Sequence, residues 1–374
     1  MAGIYFHIPF CRQKCHYCNF YSVASDKNKE AFLEALFKEI ELQKNYLENE
    51  IIETIYWGGG TPSVLSADEI NHLFQKLQTT FPISDNAEIT FETNPDDLSK
   101  SYLNTLKGTP INRFSIGVQS FIEEDLKYLN RIHSADQAYH SIKDAQDAGF
   151  ENMSIDLIYG TPTLTEANWI KNLELFFELG LPHLSAYALT VEPKTALDVL
   201  IRKQKMKAVK EEQILNHFRI LVDQIGQNDY THYEISNFCK EPFYSLHNKN
   251  YWFRKNYLGL GPSAHSFNGK SRQWNVSNVQ KYISSINSGV ISKEIEELSI
   301  DQKYNEYILT SLRTVWGTDA KYILNQFGVS YLDNFKREVK SYIYENKVVV
   351  EDGRYCLTEA GKLFADGIAA NLFL

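Results

Sequence analysis

Across the first two thirds of the chain, short apolar runs alternate with stretches in which apolar residues recur every three or four positions. The runs read as strands over Gly3–Pro9, Thr54–Trp57, Glu88–Glu92, Arg113–Val118, Ser154–Tyr159 and His183–Leu189. The clearest helical stretch between them is Lys27–Leu47, where Leu33, Leu36, Phe37, Ile40 and Leu47 share a face and Gln43 and Lys44 interrupt the last turn. Ser66, Ser99, Ser134 and Thr165 stand where helix N-caps belong, and Ser66-Ala67-Asp68-Glu69 fits a capping box. Six strand–helix units in succession predict a parallel sheet with crossover helices. Six falls short of the eight units of a closed TIM barrel, so the expected α/β fold is a partial, three-quarter (β/α)6 TIM-like barrel. In such folds chemistry gathers at the C-terminal strand ends.

Residues 201–300 are less regular, with an aromatic stretch from Tyr244 to Tyr257 and a turn at Gly259-Leu260-Gly261-Pro262. From residue 301 a helical pattern returns through Tyr304, Ile308 and Leu312. The chain then carries two apolar runs joined by Asp352-Gly353, a hairpin signal. The expected organisation is a barrel over 1–200, a linking region over 201–300 and a winged-helix-like α+β module over 301–374. That last segment holds 9 Lys+Arg against 10 Asp+Glu, which favours packing or partner contact over DNA binding.

Composition narrows the class. Of 374 residues, 43% are hydrophobic and 23% charged, near the globular average. The formal balance, 38 − 47 = −9, argues against a general nucleic-acid binder. The N-terminus lacks the basic and long apolar regions of a signal peptide. No run of about 18 apolar residues occurs. Together these features predict a cytoplasmic protein and leave peripheral membrane contact open.

Three of the five cysteines, Cys11, Cys15 and Cys18, lie within eight residues in the loop after the first strand; Cys239 and Cys356 are remote. An odd, clustered set is a poor disulfide framework. Spacing C-x3-C-x2-C on a tight loop suits three corners of a [4Fe–4S] cube, leaving one iron free for a small chelate such as the amino and carboxylate groups of an amino acid. Zinc and unligated thiols are the other readings. Zinc usually takes four closed ligands, and His16 would supply the fourth only by straining a loop shared with two cysteines.

Polar residues recur at the other strand ends. Trp57-Gly58-Gly59-Gly60-Thr61-Pro62 follows the second strand and offers bare backbone to a ligand. Glu92 ends the third strand, Gln119 the fourth; Arg131 lies in Asn130-Arg131-Ile132-His133 and Asp156 in the fifth strand. An arginine can fork onto a carboxylate, and carboxylates accept from amino and ribose hydroxyl groups. Taken singly, each is an ordinary strand-end residue.

The cysteine spacing at the first strand end of such a fold resembles the radical S-adenosylmethionine (SAM) superfamily. The further motifs resemble the branch that holds the oxygen-independent coproporphyrinogen III dehydrogenases and the HemW-type heme chaperones. The resemblance spans nearly the whole chain. It implies a [4Fe–4S] cluster on Cys11, Cys15 and Cys18. It also implies a SAM pocket comprising Tyr5, Gly59, Gly60, Thr61, Glu92, Gln119, Arg131 and Asp156, with the Gly-Gly-Thr-Pro segment at the methionine amino group.

Three features separate the two members of the branch. The dehydrogenase continues its triplet with a further cysteine, where this chain has Phe20. It also carries a sizeable extension ahead of the cluster loop, whereas Cys11 is the eleventh residue here. Leu246-His247-Asn248-Lys249-Asn250-Tyr251-Trp252 matches the HNxxYW pattern of HemW-type proteins. The chaperone resemblance implies heme held by His247, with Tyr251 and Trp252 beside the macrocycle, and handed to an apo heme protein, a membrane-associated respiratory enzyme. It further implies dimerisation and peripheral contact with the membrane. His265 is a second, weaker heme candidate. The alternatives are a radical SAM oxidoreductase acting on a porphyrinogen and, against the acidic balance, a tRNA- or DNA-binding radical protein.

Overall fold

The computed structural model describes residues 1–374. Its frame is six strands in chain order: β1 (Ala2–Ile8), β2 (Ile52–Gly59), β3 (Ile83–Thr93), β4 (Arg113–Gln119), β5 (Met153–Tyr159) and β6 (His183–Ala188), each paired in parallel with the next. Their crossover helices are α1 (Lys29–Leu42), α2 (Ala67–Thr80), α3 (Lys100–Leu106), the pair α4 (Glu123–Leu129) and α5 (Ala135–Asp147), and α6 (Glu166–Glu178). β4 is buried along its whole length, as a strand covered on both faces must be. Apolar side chains of the strands and crossover helices merge into one core that includes Phe6, Trp57, Phe91, Phe114 and Trp169. The expected N-caps are present: the side chains of Ser66, Ser99, Ser134 and Thr165 each accept a backbone N–H, and Ser66 with Glu69 closes a full capping box.

Two boundaries differ from the sequence pattern by five residues. α1 stops at Leu42, five residues early, and the chain turns away through Glu48 and Asn49, both in the left-handed region. Leu47 still packs into the core, so its place in the apolar stripe reflects burial and not helix. β3 begins five residues early, at Ile83, because Ile52 pairs with it across a register shift.

The stretch after β6 builds both edges of the same sheet. Beyond α7 (Ala196–Arg202) and α8 (Glu211–Gln227), β7 (Thr231–Glu234) and β8 (Asn237–Cys239) add antiparallel strands outside β6. On the other side, after α9 (Leu246–Trp252), β9 (Asn256–Leu260) pairs in parallel with β1. β10 (His265–Phe267), β11 (Ser271–Asn275) and, past α10 (Val279–Asn287), β12 (Lys293–Glu297) continue outward as antiparallel strands. The result is an open twelve-stranded, mostly parallel sheet with β1 inside it. Gly259 of β9 is required by close approach: a Cβ there would lie 2.1 Å from the His265 carbonyl oxygen.

The last segment has its own core. α11 (Ile300–Leu312), α12 (Ala320–Phe327) and α13 (Val329–Tyr344) pack around Tyr304, Ile308, Phe335 and Val339. The Asp352-Gly353 turn joins β14 (Val348–Glu351) to β15 (Arg354–Leu357), and β13 (Thr318–Asp319) completes a three-stranded sheet. No helix is long and apolar enough to cross a membrane.

Candidate functional site

The loop after β1 is pinched at its base. Cys11 N–H donates to the Val23 carbonyl (3.0 Å) and Val23 N–H to the Pro9 carbonyl (2.8 Å). Further along, Asn130, left-handed at the end of α4, donates its side-chain amide to the Lys14 carbonyl (2.9 Å). His16 turns its Nδ1 to the Tyr128 carbonyl (3.2 Å), does not line the cavity and offers the thiols no fourth ligand. Within these anchors Cys11, Cys15 and Cys18 all line one cavity of about 510 Å³ and remain free thiols. The Thr61 hydroxyl donates to Cys11 Sγ (3.6 Å) and Arg131 Nη1 to Cys15 Sγ (3.2 Å). Burial pushes the Cys11 and Cys18 thiols up, so holding both as thiolates calls for a strong adjacent positive charge.

The donor set fits a cluster better than a single ion. No three His, Cys, Asp or Glu groups surround one point as a lone metal ion requires. A cubane attaches each thiolate to a different iron and needs three thiols around a common space, which the cavity wall supplies.

The same wall carries seven of the eight residues expected to hold SAM. Gly59, Gly60, Thr61, Glu92, Gln119, Arg131 and Asp156 all face the cavity. Gly60 lies so close to the β1 end that a Cβ would meet the Phe10 carbonyl oxygen at 2.7 Å, while Gly59 sits at φ +105°. Glu92 accepts from the Tyr56 hydroxyl (2.8 Å) and Asp156 from Ser115 (3.5 Å). Burial, reinforced by Asp156, pushes the Glu92 carboxyl up to about 7; burial likewise raises Asp156 to about 6. Arg131 donates from Nη2 to Asn94 Oδ1 (2.6 Å) and the Gly117 carbonyl (2.7 Å), fixing its fork at the cavity edge. Gln119 takes a left-handed conformation at the end of β4, turning the chain there. Tyr56, Asn94 and Arg113 also line the site and were not singled out in the sequence. Position at a strand end or in Glu92-Thr93-Asn94-Pro95 was the only available signal.

Tyr5 and His247 lie elsewhere. The Tyr5 hydroxyl meets His7 Nδ1 (3.2 Å), and its ring, near those of both Tyr56 and His247, borders a second cavity. His247 is 2% exposed and lines neither cavity. Its Nδ1 lies 2.8 Å from Thr54 Oγ1, its Nε2 lies 2.9 Å from Tyr251 Oη, and its ring stacks on Tyr56. Burial pushes it down to about 3, which keeps the ring neutral. His265 is exposed and borders the second cavity.

Comparison with known proteins places the chain among relatives. A family model described as the radical SAM superfamily matches residues 5–176, and one described as the HemN C-terminal domain matches 298–364. A Bacillus subtilis protein named heme chaperone HemW is 32% identical, covering 98% of each chain. A Lactococcus lactis protein of the same name is 33% identical over 96% of this chain and 93% of its own. Among solved structures, coproporphyrinogen III oxidase (HemN) from Escherichia coli superposes with a TM-score of 0.85 at 23% identity, covering all of this chain and 90% of that one. That likeness concerns the fold.

Proposed function

Because the chain belongs to the radical SAM superfamily, in the branch of the HemW-type heme chaperones, we propose that it carries heme and delivers it to an apo heme protein. The observation that carries this reading is full-length similarity to proteins named heme chaperones, 32% identity across 98% of both chains. Phe20, 64% exposed where the dehydrogenase pattern has a cysteine, supports it over porphyrinogen oxidation.

In this reading Cys11, Cys15 and Cys18 would hold a [4Fe–4S] cluster with one iron left open to the methionine end of SAM. Such a cluster, when bound, can pass one electron to the sulfonium. The chain's part is to bind and orient: Gly59, Gly60 and Thr61 present backbone to the methionine end, and Arg131 holds its carboxylate side. Glu92, Gln119 and Asp156 take amino and hydroxyl groups, and Tyr5 backs the wall. The six βα units are read as the three-quarter barrel over 1–200, joined through 201–300 to a winged-helix-like module over 301–374. The partners in the same reading are a second copy of the chain and a respiratory heme enzyme at a membrane, met from the cytoplasm.

The test is heme titration of anoxically reconstituted protein, followed by mixing with an apo heme protein. We expect saturable uptake near one heme per chain and a shift of the Soret band to that of the acceptor. Protein that takes up no heme, or that converts coproporphyrinogen III to protoporphyrinogen IX, refutes the chaperone reading.

A further inference from the structure

The second cavity, also about 510 Å³, lies beside β1 and the start of β9 and is bordered by Thr310 of α11. It shares only Asn19 and Phe20 with the cysteine-lined cavity, so Phe20 stands between the two. Seven of its fifteen lining residues are aromatic, among them Trp252 and Phe267, which suits a broad flat ligand.

Its charge is one-sided. Arg254, Lys255 and Arg272 line it, and no Asp or Glu does, in a chain whose formal charge is −9. Arg272 is held by Glu306 (2.7 Å). Arg254 and Lys255 have no such partner, and Arg254 Nε is a buried donor without an acceptor, as is the Trp252 indole N–H. A buried donor left without an acceptor is costly, so the wall is suited to acceptor groups from a ligand.

Two histidines line this cavity, and His247 lies behind it. His7 is committed, with Nε2 2.8 Å from the Tyr21 carbonyl and Nδ1 3.2 Å from Tyr5 Oη. His247 is committed at both nitrogens. His265, the first residue of β10, stacks its ring on Trp274 (5.9 Å, 24°) and makes no side-chain hydrogen bond, leaving it free to meet a metal at the cavity edge.

We propose that this cavity is the heme site, with His265 reaching the iron and Arg254 and Lys255 receiving the two propionates. This rests on the heme-carrier reading and deepens it by naming the pocket and the ligand. In it Tyr251 and Trp252 of the HNxxYW segment serve as cavity wall, and His247 serves as the buried post behind them.

The experiment uses the full chain, titrated in parallel with ferric heme and with metal-free protoporphyrin IX. His265→Ala and His265→Gln should abolish the histidine-ligated absorbance and EPR signature and weaken heme roughly tenfold, while protoporphyrin binding stays within about twofold. Arg254→Gln with Lys255→Gln should weaken both probes roughly tenfold. A wild-type heme spectrum in both His265 variants overturns the inference. So does loss of that signature in a His247→Ala protein whose thermal melt and circular dichroism are unchanged. If the wild type takes up no heme at all, the carrier reading itself fails; if it does and the His265 variants keep their signature, only the inference fails.

Discussion

Glu92 and Asp156 line one cavity, and burial there works against the charge of both carboxyls. The Glu92 carboxyl sits at about 7 against an ordinary value of 4.5, because burial penalises its charge and Asp156 adds repulsion. A raised folded-state value means that the folded chain keeps a proton the unfolded chain releases. The stabilising contribution of protonated Glu92 is therefore full below about 4.5 and is lost as pH rises through about 7. Glu92→Gln keeps the neutral form at every pH. Its stability relative to wild type should rise from pH 5 to pH 8 by roughly 2–3 kcal/mol, measured by urea unfolding of ligand-free protein. Parallel stability curves across that range would show that the carboxyl is not strained by its surroundings. At this scale the sequence was legible where a polar residue broke an apolar strand near its end or within it, as Glu92 and Gln119 do near the ends of β3 and β4 and Asp156 does inside β5. The resemblance named Tyr5 and His247 but could not give their facing, because facing depends on which neighbours claim the polar atoms. Thr54 and Tyr251 claim both nitrogens of His247, and nothing in the local spacing reveals them.

The element that turns on one residue is α9. Ser245 gives it no side-chain cap, and its first N–H groups go instead to a carboxylate on β3. Glu88 accepts from Leu246 N (3.0 Å) and His247 N (3.0 Å), with Arg113 Nε 3.9 Å away. Anions at helix starts are favoured, and here the anion is buried. Glu88→Ala would leave two N–H groups without their acceptor and remove a carboxylate from beside the buried Arg113. We expect a loss of about 3–5 kcal/mol, with Glu88→Gln losing less, read as a fall in melting temperature. An unchanged melt for Glu88→Ala would remove Glu88 as the anchor of α9. Elements that bury a repeating face, such as α5 and β5, could be read from pattern. β9 could not: five residues carrying Asn256 and Gly259 owe their strand to the space beside β1, not to propensity. The end of α1 was likewise hidden, since Leu47 keeps its apolar place after the helix has stopped.

At the scale of the molecule, one sheet borders two cavities that share Asn19 and Phe20. The cluster loop owes its position to β1, the second cavity to β9 and β10 beside it. That arrangement brings residues more than 240 positions apart in sequence, Phe20 and His265, to one wall. The six βα units announced themselves by periodicity. The return of residues 230–297 to both sheet edges did not, because short antiparallel strands with mixed polarity carry no distinctive period. The basic lining of the second cavity was invisible for a related reason: Arg254, Lys255 and Arg272 gather only once β9 and β11 are in place, against an acidic average.

The reading of the first cavity depends on three thiols sharing one cube with an iron left over. Reconstituted protein, reduced without oxygen and frozen with and without SAM, should give an S = ½ EPR signal of a [4Fe–4S]⁺ centre whose g-values change when SAM is added. An iron-free preparation, or a cluster signal indifferent to SAM, would contradict the account.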